Sequence, residues 1–189
     1  MATRSGVNAC FGRPQRAVPT VDPPGICILF GSKLWDGKMN CENIAITNAS
    51  SDDLQAILDL LSEVQLPHDG VAENINSFLV ARDETSRLIA TIGLERHGNT
   101  ALLRSAAVAP KYQSCGIGSR LTERLLERAT KDGMERVVLL TTTASEFFAR
   151  RFGFCETART AFDKELAASC EWNLPRCSSA VCMSLDLRG

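Results

Sequence analysis

The residues best suited to chemistry lie between Leu102 and Ser119, in LLRSAAVAPKYQSCGIGS. The second half of this stretch, Gln113 to Ser119, is a short loop bearing Gly116 and Gly118 that opens directly into a helical pattern. A loop ending at a helix N-terminus points several backbone N–H groups in one direction, and the helix dipole adds partial positive charge there. The natural ligand of such a place is a phosphate. The first half carries Arg104 among Leu102, Leu103 and Ala106. A guanidinium in apolar surroundings must find a partner or suffer a large desolvation penalty. Two partners suit it: Glu95 on the preceding stretch of chain, or the carboxylate of a bound molecule held in a bidentate pair.

The elements that must position these residues follow from periodicity. Leu102 to Val108 is short and aliphatic, and Pro110 stops it, so it reads as a buried strand. From Ile117 onward, Leu121, Leu125 and Ala129 recur at four-residue spacing with Arg and Glu on the other faces, which predicts an amphipathic helix ended at Gly133. Upstream, Ile44 to Asn48 alternates as a first strand. The Ser50-Ser51-Asp52-Asp53 cluster then caps a helix carrying Leu54, Ile57, Leu58 and Leu61. A short second helix is expected over Val71 to Ile75. Phe78 to Val80 and Leu88 to Glu95 read as two strands joined by a turn at 83–86, and His97-Gly98-Asn99 turns the chain into the Leu102 strand, giving an antiparallel meander. Downstream, Val137 to Thr141 is a strand reached by a right-handed crossover and therefore parallel to the Leu102 strand. Ala144 to Arg151 is a second helix, ended by Gly153, and Phe154 begins an extended segment. A third helix is expected around Asp163 to Cys170, and Val181 to Leu187 is expected as an edge strand. Together these predict a mixed α/β domain over 43–189, preceded by an irregular extension over 1–42.

Composition narrows the function. A chain of 189 residues with a formal net charge of -1 offers one well-cored domain and no electrostatic grip on nucleic acid or on a membrane surface. No apolar run approaches the about 18 residues that span a bilayer, which points to a small-molecule partner. Cys10, Cys27, Cys41, Cys115, Cys155, Cys170, Cys177 and Cys182 contain no C-x-x-C pair, so they read as free thiols, and His68 and His97 complete no zinc-ligand spacing with them, so no metal is expected. The first 42 residues carry Arg4, Arg13 and Arg16 before any acidic residue. This allows an organelle transit peptide, although serine is sparse and no amphipathic helix is evident; alternatively Met39 is the start.

Two motifs carry a family resemblance. Gln113 to Gly118 fits Q-x-x-G-x-G after an apolar strand, and Phe147-Phe148-Ala149-Arg150-Arg151-Phe152-Gly153-Phe154 resembles the aromatic helix and Gly-Phe pair downstream of it. Residues 43–187 thereby resemble the GNAT superfamily of N-acetyltransferases, whose fold is a twisted, mostly antiparallel sheet of six to seven strands with helices on both faces. Within it, Leu102 to Ser105, Leu139 to Ala144 and Ser179 to Met183 are similar to the arsenic-resistance N-acetyltransferases, which act on phosphinothricin-like and arsinothricin-like amino acids. Relatives of N-acetylglutamate synthase share part of the same pattern.

The resemblance implies acetyl-CoA as co-substrate. Gln113, Ser114, Cys115, Gly116, Ile117, Gly118 and Ser119 would bind its pyrophosphate. The preceding strand would splay from its parallel neighbour, leaving the backbone of Ala106, Ala107 and Val108 to pair with the pantetheine arm, while Phe147 and Phe148 pack against that arm or the core. The attacking amine must be uncharged, so a proton acceptor is needed. Glu95 is a candidate base, or else a solvated strand end or the counter-charge of Arg104, and His97 is a second candidate. Arg104 would hold the acceptor's carboxylate or pair with Glu95. Many members use a tyrosine to protonate the leaving thiolate; here Phe147 and Phe148 occupy that region and the sole tyrosine is Tyr112, so Thr143, Ser145 or water would supply the proton. Thr141 would line the acceptor site or serve structure. The readings in contention are thus an N-acetyltransferase of a small amine, an N-acetylglutamate-synthase-like enzyme, and a module that only senses acetyl-CoA or an amino acid. Protein N-acetylation is less favoured, and a cytoplasmic homodimer is expected.

Overall fold

A computed structural model describes residues 43–188. The expected extension over 1–42, and Met39 within it, lie outside the described residues. Seven strands form one sheet: β1 (Ala45–Asn48), β2 (Phe78–Arg82), β3 (Leu88–His97), β4 (Thr100–Val108), β5 (Arg136–Thr141), β6 (Cys155–Glu156) and β7 (Val181–Asp186), in the order β1-β2-β3-β4-β5-β7-β6. Only β4 and β5 run parallel; every other neighbouring pair is antiparallel. The helices are α1 (Leu54–Glu63), α2 (Ile117–Lys131) and α3 (Ser145–Phe152).

Local sequence explains the helix boundaries. Ser50 and Asp53 form a capping box ahead of α1, satisfying two of the N–H groups that a helix start leaves orphaned. The α2 stripe of Ile117, Leu121, Leu125 and Ala129 is buried. Gly153 ends α3 in the left-handed conformation, which glycine adopts without strain. The buried α2 stripe and Phe148 of α3 pack on Leu103, Ala106, Val108, Val137 and Leu139, on one sheet face. The opposite face carries two smaller cores. One lies beneath α1 around Phe78, Val80 and Ala107. The other lies beneath the long β6–β7 connection around Leu102, Val138, Phe162, Leu166 and Trp172.

Three expectations are corrected. Val71 to Asn74 is a series of turns followed by a single 3-10 turn at Ile75–Ser77 rather than a helix, because Asn74 donates its side-chain amide to the Gly70 carbonyl at 2.8 Å and competes with a helical ladder. Asp163 to Cys170 is likewise a chain of turns; its apolar contacts, Phe162 and Leu166, are drawn down singly onto β5 and β7. The C-terminal strand β7 is interior, not an edge: it is inserted between β5 and the two-residue β6.

Candidate active site

Two features of β4 create the site. The ladder between β4 and β5 runs from Thr100 and Arg136 to Leu103 and Leu139 and goes no further, although β4 continues to Val108 and β5 to Thr141. The strands therefore part just where Arg104 begins, and the β5-facing backbone of Ala106, Ala107 and Val108 has no ladder partner in β5, the expected splay. Second, β4 carries a bulge. Gly93 pairs with Arg104 and Thr91 with Ala107, so Ser105 and Ala106 together oppose Ile92. Ser105 sits at φ 52°, a left-handed conformation that a non-glycine residue holds only when its surroundings enforce it. The extra residue inverts the side-chain alternation: Ala106 and Val108 join the core of Leu103, while Ala107 joins the core under α1.

The Gln113–Ser119 loop lies beyond. Gln113 Nε2 donates to the Val108 carbonyl at 3.3 Å, fixing the loop to the end of β4. Tyr112 donates its hydroxyl to Asp83 at 2.7 Å. Asp83 is held down to about 2, first by the Thr85 hydroxyl and then by Tyr112, while burial of the Tyr112 hydroxyl adds to the Asp83 bond in raising the phenol. Ser114 and Gly116 both have positive φ, and Gly116 is the N-cap of α2. Ser114 and Gly116 are exposed, Gln113, Cys115 and Gly118 half-buried, and Ile117 and Ser119 buried. The first N–H groups of α2 have no intrahelical acceptor and are aimed past this loop. Cys155, Cys170, Cys177 and Cys182 are free thiols as expected; Cys115 departs from that expectation and is disulfide-bonded.

Arg104, on the other side of the bulge, is wholly buried and saturated from within. Its Nη1 donates to Glu95 Oε2 at 3.0 Å, and its Nη2 lies 3.1 Å from Glu171 Oε2 and donates to the Asp69 carbonyl. Gly70 closes over it; a Cβ there would lie 2.8 Å from Nη1. Glu95 Oε2 also accepts from Ser169 Oγ at 3.0 Å, while Oε1 pairs with His97 Nε2 at 3.1 Å. Glu95 is thus buried and counter-charges Arg104 across the hairpin, and His97 is its half-buried partner rather than a solvated turn residue. Glu171 has one guanidinium for company, and burial pushes its carboxyl up to about 7 against the pull of Arg104.

The remaining candidates are dispersed. Thr141 is buried and accepts from the Ala144 N–H at 2.9 Å, shaping the turn into α3. Thr143 is exposed in that turn, and next to it the buried Thr142 hydroxyl lacks a hydrogen-bond partner among the described residues. Phe148 is buried with its ring 5.5 Å from that of Phe154, and the half-buried Phe147 stands edge-on to Phe148 at 5.0 Å. No cluster of three or more potential metal ligands occurs among the described residues, and no helix among them is long and apolar enough to cross a membrane. A groove of about 810 Å³ between β1 and α2 is lined by apolar residues such as Ile46 and by charges of both signs, among them Arg120, Arg128, Glu123 and Asp132, and has no residue in common with the Arg104 cluster or the Gln113–Ser119 loop.

Sequence reasoning missed Glu171, Ser169, the Asp69 carbonyl and the Ser105 bulge. The one available signal was the unmet need of Arg104 for counter-charge. Nothing in the spacing tied it to an acidic residue in the turns before Trp172.

A helix start with free N–H groups, reached from a splayed parallel strand beside a buried ionic cluster, is a layout that suits a phosphate-bearing ligand. A model of the Acetyltransferase (GNAT) family matches residues 45–154, and the chain belongs to that family. No curated protein matches the chain significantly. Among solved structures, N-acetylglutamate synthase from Neisseria gonorrhoeae, complexed with coenzyme A and L-arginine, matches at 22% identity and TM-score 0.62, covering 78% of this chain and 34% of that one. This chain therefore spans about a third of that enzyme. A Mycobacterium tuberculosis protein in complex with CoA and NLQ matches at 24% identity and TM-score 0.62, covering 76% and 99%. A GNAT acetyltransferase from Staphylococcus aureus matches at 17% identity and TM-score 0.64, covering 77% and 99%. At these identities the likeness is one of fold.

Proposed function

We propose that the protein is an acetyl-CoA-dependent N-acetyltransferase acting on the amine of a small, carboxylate-bearing, amino-acid-like molecule, as a homodimer in the cytoplasm. The observation that carries the donor half is the parting of β4 from β5 after Leu103 directly upstream of the Gln113–Ser119 helix start. A strand edge without a ladder partner in β5 suits a pantetheine arm, and N–H groups at a helix start suit a pyrophosphate. Co-crystallisation of the Neisseria and Mycobacterium proteins with coenzyme A supports the same donor.

The acceptor half rests on chemistry. The amine attacks the thioester carbonyl, the C–S bond breaks, and coenzyme A leaves as a thiolate that regains a proton, so an amide and a free thiol form from an amine and a thioester. The ammonium proton must go elsewhere first. Glu95 and His97, joined at 3.1 Å, take it, with His97 passing it toward solvent, and the hydroxyl of Thr143 at the exposed turn before α3 relays a proton from water to the thiolate, regaining its own as it gives one up. Arg104 orients the carboxylate of the acceptor. The Neisseria enzyme complexed with N-acetyl-glutamate makes amino acids a fitting class, and the resemblance in the sequence extends it to phosphorus- or arsenic-containing amino acids of the phosphinothricin and arsinothricin type, as a resistance function.

Release of free thiol from acetyl-CoA, measured with a panel of amino acids and their phosphinic and arsonic analogues, tests the reading. Thiol release dependent on an amine with a carboxylate is the expected result. Coenzyme binding with no amine-dependent release would leave a sensing module instead.

A further inference from the structure

Arg104 faces two buried carboxylates, and they are held very differently. Glu95 is anchored three ways, by Arg104 at 3.0 Å, by Ser169 at 3.0 Å and by His97 at 3.1 Å. Among the described residues Glu171 has a single ionic partner, Nη2 of the same arginine at 3.1 Å. Glu95 belongs to a ten-residue strand inside the sheet, whereas Glu171 belongs to the connection between β6 and β7, made of turns and two 3-10 segments. The connection rests on the sheet through Phe162, Leu166, Trp172 and Cys177. Glu95 and the Asp69 carbonyl hold Arg104 whether or not Glu171 is present, so the Glu171 contact on Nη2 is the one ionic position of the cluster that a bound carboxylate could take over without unpairing the guanidinium. Glu171 supplies such a carboxylate from the chain itself, on a connection of turns rather than on a sheet strand.

Building on the reading of Arg104 as the acceptor's carboxylate clamp, we infer that Glu171 is an internal stand-in for that carboxylate. It occupies Nη2 of Arg104 in the empty enzyme and is exchanged for the acceptor's carboxylate, which loosens the 157–180 connection together with the Ser169 bond that this connection gives to Glu95. The position of Arg104 at the first β4 residue beyond the last β4–β5 pair sets the exchange at the mouth of the splay. Burial of the Glu171 carboxyl works in the same direction, because a carboxylate that is poorly tolerated where it sits leaves readily. Selection follows: only an acceptor that brings a replacement charge can take the place of Glu171, and a neutral amine of the same shape cannot. Glu171 is thus a specificity-determining and positioning residue, acting through Arg104 and not on the reacting atoms.

The exchange predicts a split between KM and kcat. When a competing internal group leaves about a tenth of the molecules open, apparent affinity is about tenfold weaker than intrinsic. With L-glutamate as probe, E171A is expected to lower KM about tenfold while kcat changes less than about twofold, and the KM for the α-carboxamide of L-glutamate stays as in the wild type. Equal changes for the two probes, or a rise in KM for L-glutamate, overturn the exchange. The clamp reading fails separately, if the wild type does not prefer L-glutamate to its α-carboxamide and R104K does not alter that ratio. A second measurement needs neither turnover nor a variant: amide hydrogen exchange over residues 157–180 of the wild-type chain in sodium acetate against sodium chloride. Faster exchange in acetate is the expected result, since acetate replaces Glu171 on Arg104; identical exchange in the two salts overturns the proposal.

Discussion

Replacing Glu171 by glutamine keeps the shape of the side chain and removes its ionisation, and the effect on stability should change sign with pH. Burial raises the Glu171 carboxyl from 4.5 to about 7, with Arg104 opposing the rise and the neighbouring Glu95 and Asp69 carboxylates adding to it. A raised carboxyl binds its proton more tightly in the folded chain than in the unfolded one. Folding is therefore favoured below the unfolded value of 4.5, and that advantage is lost as pH rises toward about 7. At about 1.4 kcal/mol for each factor of ten, the full loss is about 3 kcal/mol above pH 7. The E171Q side chain never ionises and escapes this loss. Its amide gives up one acceptor oxygen for N–H donors in a site arranged around a carboxylate, an offset of about 1 kcal/mol at every pH. E171Q should thus be less stable than the wild type by about 1 kcal/mol near pH 4 and more stable by about 2 kcal/mol near pH 9. For a domain of this size, where 1 kcal/mol shifts Tm by about 2 to 4 °C, the swing between the two pH values is about 6 to 12 °C. Thermal unfolding of both proteins followed by circular dichroism across that range provides the test. A difference in Tm that does not vary with pH would refute the placement of Glu171 as a buried, weakly compensated carboxylate.

The other predictions use the same cluster and its supports. R104A leaves Glu95 and Glu171 buried without their common cation, and should cost about 3 to 5 kcal/mol in urea unfolding; among variants that fold, R104K should raise KM for the amino-acid acceptor far more than KM for acetyl-CoA. At Gly93 an added Cβ would lie 2.4 Å from the ring of the buried Phe78, so G93A should destabilise by about 1 to 3 kcal/mol, and the companion change F78L should recover part of that in a double-mutant cycle. Gly116 holds φ 72° at the start of α2 with open space around it. G116A should therefore cost only about 1 kcal/mol in stability, and raise KM for acetyl-CoA while leaving KM for the acceptor within about twofold.

The sequence was most legible where one residue type and one period coincide. Ile117, Leu121, Leu125 and Ala129 report α2 because a helix with one buried face has no other way to place them. The β2–β3–β4 meander was readable from its turn residues, and the parallel β4–β5 pair from the helix between the strands. Legibility fell where contacts are long in sequence. Leu166 and Trp172 are apolar because they cover β5 and β7, yet in one dimension Asp163 to Cys170 resembles a helix. β7 was read as an edge because nothing in Val181 to Leu187 announces that a two-residue strand will pair on its far side. The need of Arg104 for a partner was readable from composition alone, and Glu95 was one of its two expected partners. Glu171 was not, because an ion pair between β4 and a loop beyond β6 leaves no spacing signature.

The bulge at Ser105 ties these features together. Were β4 regular, the face that carries Leu102 and Arg104 would carry Ala106 as well, and Ala107 would point toward α2. The extra residue instead sends Ala106 and Val108 under α2 and turns Ala107 toward α1, while the ladder to β5 ends one residue before Arg104. Arg104 is thereby the last β4 side chain to face the β6–β7 connection before the chain changes face, and it meets Glu95, Glu171 and the Asp69 carbonyl there. The Gln113–Ser119 loop is reached on the far side of the bulge. A left-handed serine in the middle of a buried strand is unfavourable by about 1 kcal/mol or more. What it yields is a division of β4 into a segment that pairs with β5 and anchors the Arg104 cluster and a segment whose β5-facing edge has no ladder partner.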